Sequence, residues 1–149
     1  MPTGGISQNP VLRKYRSLAA SKTKYITMSV LINLISKDPK FSVEKIEEEN
    51  PNLNDAFGFL SWRKDLWGND VIKNIGCSML HNLASNDIYA YDRKIFELKI
   101  ELQKVLENLD LIENVTGIEK LAIKERILNG LSAIEVAEKN IDKIGVVIW

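Results

Sequence analysis

Apolar residues recur along most of this chain at spacings of three and four, and no run alternates with period two over more than a few positions, which predicts an all-α protein. The longest regular stretch covers residues 87–113. Within it Ile95, Leu98, Leu102, Val105, Leu109 and Ile112 form a seam of strictly alternating three- and four-residue steps. At about 1.5 Å per residue such a helix is roughly 40 Å long. About eight helices are therefore expected, packed around this one. Phe96, Ile100, Leu106 and Leu111 add apolar positions off the seam, which suits the central strut of a monomer core better than a dimer zipper.

Taken in order, residues 1–9 read as an extended arm. Asn9 and Pro10 then start a short basic helix with Val11, Leu12, Tyr15, Leu18 and Ala19 on one face. A more apolar helix follows, carrying Tyr25, Met28, Leu31, Ile32 and Ile35 and ended by Asp38 and Pro39. Ser42 caps an acidic helix through Glu49, and Pro51 opens another with Leu53, Phe57, Leu60 and Lys64 at helical spacing. Gly68 stops that helix, and the next presents Val71, Ile72, Ile75, Met79, Leu80 and Leu83. Two capping boxes, Thr116 with Glu119 and Ser132 with Glu135, announce two final helices. Residues 144–149 read either as a last helical turn or as an extended tail laid into a groove. The implied organisation is an arm over 1–9, a helical core domain over 10–113 and a C-terminal helical hairpin over 117–149 packed on that core.

Composition narrows the class. With 45% hydrophobic and 27% charged residues the chain is of ordinary soluble globular type. Cys77 is the only cysteine and His81 the only histidine, which excludes an internal disulfide and a multi-cysteine metal centre and suits a reducing, cytoplasmic setting. No apolar run is long enough to span a bilayer. The net charge of zero hides an asymmetry: residues 1–37 hold six basic residues and no acidic one, leaving fourteen basic against twenty acidic in the remainder. Such separation points the N-terminal part towards phosphates or an acidic protein surface, or else onto the acidic remainder of the chain itself.

Residues 123–141, about a sixth of the chain, resemble the front half of a helix-turn-helix DNA-binding unit. The resemblance rests on Gly130, Leu131 and Ser132 as the turn and on Glu135, Val136 and Ala137 opening the next helix. It implies a recognition helix after Ile141 lying in a major groove. Residues 142–149 carry one basic side chain, Lys143, and no Arg, Asn or Gln for base edges, and a plain helical hairpin capped by Ser132 accounts for the same residues.

The candidate chemistry is that of binding. Arg13, Lys14, Arg16, Lys22 and Lys24, with Tyr15 among them, are suited to phosphate contacts. Trp62, Arg63 and Trp67, with Trp149 at the far end, are candidate partner-binding residues, with a place in the apolar core as the plainer alternative for the tryptophans. Cys77 and His81 share a helical face but lack further ligands or a third catalytic group, so packing accounts for them. No cofactor or metal is expected, and nothing in the chain stands out as a carrier of catalysis. The expectation is thus a non-enzymatic helical binding protein, nucleic-acid-associated by preference. The rival is a protein-interaction module such as an assembly subunit, an adaptor or an immunity-type inhibitor, with self-association among its modes.

Overall fold

The computed structural model describes residues 29–149. The arm over 1–9, the basic helix and the first residues of the apolar helix after it lie outside them.

The all-α expectation is overturned by a four-stranded antiparallel sheet. Its strands are β1 (Ser29–Ser36), β2 (Ala56–Phe59), β3 (Ile88–Ala90) and β4 (Ile144–Ile148), in the spatial order β2-β1-β4-β3. The helices are α1 (Glu44–Glu49), α2 (Asp70–Asn74), α3 (Ser78–His81), α4 (Arg93–Glu107), α5 (Leu109–Thr116) and α6 (Lys120–Lys139). A π-helical turn, Arg63–Trp67, follows β2, and a 3-10 turn, Asn82–Ala84, follows α3.

The two central strands misled the periodicity for one physical reason. β4 is buried at every position and β1 alternates only between buried and half-buried, so neither has a polar face to reveal a period of two. Leu31, Ile32 and Ile35 fit a helical spacing by accident of density. The residues 144–149 that read as a turn or a tail are instead the strand at the centre of the sheet, with Ile32 opposite Ile148 and Ser36 opposite Ile144.

The expected central helix is real over its middle and is cut at both ends. Ile88–Ala90 is strand, Asp92 turns the chain with φ 52°, and the helix begins only at Arg93. Asn108 interrupts it at φ −125°, and α5 resumes at Leu109. Even so, Ile95, Leu98, Leu102, Val105 and Ile112 are all fully buried, so the seam faces the core as the spacing requires.

The expected C-terminal hairpin is one helix. α6 passes through Gly130, Leu131 and Ser132 without a turn, and Ser132 Oγ simply donates back to the Leu128 carbonyl at 3.0 Å. Glycine stands at 130 for closeness rather than for turning. A Cβ there would lie 3.0 Å from both Leu102 and Phe57, so its absence lets α6 press against α4 and β2. The Thr116/Glu119 box does not form either: Thr116 Oγ1 donates to the Ile112 carbonyl, Gly117 closes α5 in the left-handed conformation, and the Glu113 carboxylate accepts the Lys120 N–H.

One core joins the helices to the sheet face that bears Val30, Ile32, Leu34, Val146 and Ile148. The opposite face gathers Ile35, Val147 and Trp149, with Leu31, Tyr89 and Tyr91 packed beside them.

Candidate functional site

The most distinctive surface of the described residues is built where β2, the π-helical turn and α6 meet. In an α-helix two residues five apart point about 140° away from each other. Widening the turn at Arg63–Trp67, closed by the Gly68 N–H donating to the Arg63 carbonyl at 2.9 Å, brings Trp62 and Trp67 to the same side. Their rings meet edge to face at 6.5 Å, and Phe57 stacks on Trp67 at 5.3 Å. Gly58 makes room: it has φ +129°, and a Cβ there would lie 2.3 Å from the Trp62 ring.

Phe59 sits on this buried aromatic base, and it and the next residue, Leu60, are 54% and 47% exposed. Phe59 meets Trp62 edge to face at 5.5 Å. The Arg126 guanidinium, reaching over from α6, lies 5.7 Å from the centre of the Phe59 ring and 5.8 Å from that of Trp62. It also pairs with Glu125 at 3.2 Å. The result is a rigid platform with two half-exposed apolar side chains and a cation fixed beside them.

Three of the four expected partner-binding residues serve as support below the surface. Trp62 and Trp67 are buried, and Trp149 is buried on the far sheet face, where its indole Nε1 donates to Asn33 Oδ1 at 2.6 Å. Arg63 is held internally as well: it donates to the Leu83 carbonyl at 3.0 Å and pairs with Asp87 at 2.6 Å, tying the π-helical turn to the entry of β3. The five basic residues from Arg13 to Lys24 fall outside the described residues. Phe59, Leu60 and Arg126 were not singled out from sequence, and Arg126 had no local signal to give, since its rings lie more than sixty positions away. The Gly58 flanked by two phenylalanines was the available sign of a strand end.

Cys77 and His81 do not pair with each other. The Cys77 thiol donates to the Glu101 carbonyl at 3.3 Å, and burial, aided by the nearby Glu101 charge, pushes its pKa up to about 12. At neutral pH it is a thiol and a poor nucleophile. His81 lies 3.8 Å from Asp70. Among the described residues no three His, Cys, Asp or Glu side chains group to hold a metal, and no helix is long and apolar enough to cross a membrane.

Comparison with known proteins finds no matching family model, no similar curated protein and no similar solved structure.

Proposed function

We infer that this chain is a non-enzymatic binding module that docks a protein partner on the Phe59, Leu60 and Arg126 platform. The observation that carries the reading is the pairing of two half-exposed apolar side chains with an ordered guanidinium on a rigid aromatic base. Interface energy concentrates at such aromatic and arginine anchors, because they bring large contact area with little side-chain entropy left to lose. The partner surface that fits supplies an apolar side chain to seat against Phe59 and Leu60 and a carboxylate to meet Arg126. The test is cross-linking in the native source followed by mass spectrometry, with the Phe59→Ser, Leu60→Ser double variant as control. A protein captured by the wild type and lost by a correctly folded variant supports the reading; equal capture by both, or a strict monomer that captures nothing, overturns it.

The charge distribution favours a second reading, association with nucleic acid. Five of the twenty basic residues and none of the twenty acidic ones precede Ser29, so residues 29–149 carry fifteen basic against twenty acidic, a balance of −5. Phosphate contacts would then come from Arg13, Lys14, Arg16, Lys22 and Lys24 rather than from the acidic body. Short duplexes and single strands at two salt concentrations decide it: salt-sensitive binding that is lost on reversing Arg13, Lys14 and Arg16 to Glu supports it, and salt-independent or absent binding removes it.

A further inference from the structure

α4 carries two seams. The inner one, through Ile95, Leu98, Leu102 and Val105, belongs to the core, and each of those residues is fully buried. The outer one runs Arg93, Phe96, Ile100, Gln103 and Glu107 in alternating steps of three and four, and every member is exposed. At about 100° per residue the two seams lie on opposite sides of the helix. Neighbouring side chains bound the outer seam without covering it. On one flank Lys99 reaches Glu138 of α6 at 3.1 Å, and on the other Lys104 lies against Gly76.

Phe96 and Ile100, one turn apart, are 43% and 52% exposed, so the middle of the outer seam is apolar. Its ends carry the wrong charges for a helix on its own. A helix N-terminus is partly positive, yet the first turn of α4 holds Arg93 and Lys94 and no acid. A helix C-terminus is partly negative, yet Glu107 is the last residue of α4, and the basic residue of that turn, Lys104, is directed aside to Gly76. An antiparallel copy of the same helix corrects both ends at once. Arg93 and Glu107 each stand seven residues from Ile100, so a two-fold axis at Ile100 sets Glu107 of each copy beside Arg93 of the other and sets Phe96 against Gln103. Charge selects this occupant over others. Residues 1–28 hold five basic side chains and no acidic one, so they suit Glu107 but are repelled by Arg93 and Lys94, and a nucleic acid backbone meets the reverse mismatch.

We propose that the chain forms a symmetric dimer through the outer face of α4, antiparallel about Ile100, with Arg93 of each copy paired to Glu107 of the other. This face is separate from the Phe59 platform and does not depend on it. A helix of fifteen residues is about 22 Å long, so the interface is small and the dimer weak, half-formed on the order of 100 µM. The test is analytical ultracentrifugation of the full chain from about 10 µM to about 1 mM, where the mass should rise from one chain towards two. Ile100→Glu places two carboxylates on the axis and should stay monomeric throughout, with its circular dichroism unchanged because the position is exposed. Arg93→Glu and Glu107→Arg should each weaken the dimer about tenfold, and the two together should return it to within about threefold of the wild type. The Phe59→Ser, Leu60→Ser variant should dimerise as the wild type does. A strict monomer at about 1 mM, a dimer that survives Ile100→Glu, or a double charge reversal no tighter than the single ones overturns the proposal. Loss of the dimer in the Phe59→Ser, Leu60→Ser variant overturns it too, because the copies then meet through the platform.

Discussion

Glu101 is a carboxylate buried to 7% exposure whose two oxygens accept the Met79 and Leu80 N–H groups at 3.1 and 3.0 Å. It thereby caps α3 from a different helix, a role Cys77, at the cap position itself, does not fill. Glu101→Ala leaves both donors without their acceptor, and the expected loss is about 2 kcal/mol of unfolding free energy by urea titration. Burial raises the Glu101 carboxyl above its ordinary value near 4.5, outweighing the Leu80 and Met79 donors and the Lys104 charge, which pull it down. The unfolded chain therefore sheds this proton first as pH rises, and folding loses stability from about the ordinary value up to the folded one. Glu101→Gln has no such loss. Its stability relative to the wild type should climb with pH across that window and then level off, as urea titrations at a series of pH values would record.

The thiol beside it gives a second outcome at this scale. With its pKa near 12 and full burial, Cys77 should resist alkylation by iodoacetamide at pH 8 in the native protein and react at the ordinary thiol rate once unfolded in guanidinium. Rapid labelling of the native chain would contradict the packing described around it.

Between single residues and the whole molecule, the glycines of two elements set how closely layers approach. Gly58→Ala has to accommodate both a positive φ and a clash with the Trp62 ring. Destabilisation of roughly 2–4 kcal/mol is expected, with loss of the near-ultraviolet signal of the tryptophans. Element type was legible where water touched one side. α4 carries Glu97, Gln103 and Glu107 outside and the seam residues inside, so its period of 3.6 survives in the sequence. It was hidden where water touched neither side, as in β4, or where the element was too short for any period, as in the three residues of β3. The platform was half legible. The aromatic density around Trp62 and Trp67 marked the place, but which rings lie beneath and which lie on top depends on the π-helical turn and on Arg126, and neither leaves a local pattern.

For the molecule as a whole, tolerance to substitution follows burial, at the centre of the sheet as along the helices. Val147 is fully buried, whereas Leu111, on the helical segment beyond the break, is 46% exposed. Val147→Asp should cost at least about 4 kcal/mol and unfold the chain at 37 °C. Leu111→Asp should stay within about 0.5 kcal/mol of the wild type in the same thermal melt. Equal tolerance at both positions would contradict the burial of Val147.

The position of β4 also bears on when the protein can assemble. Asn33 and Trp149, joined by a hydrogen bond, are 116 positions apart, and β1 and β3 meet only through the strand between them. On a ribosome adding about 5–20 residues per second, β1 therefore emerges several seconds before the strand it needs. For that interval β2 is the one strand of the described sheet available to β1, so the sheet closes only after β4 has been made.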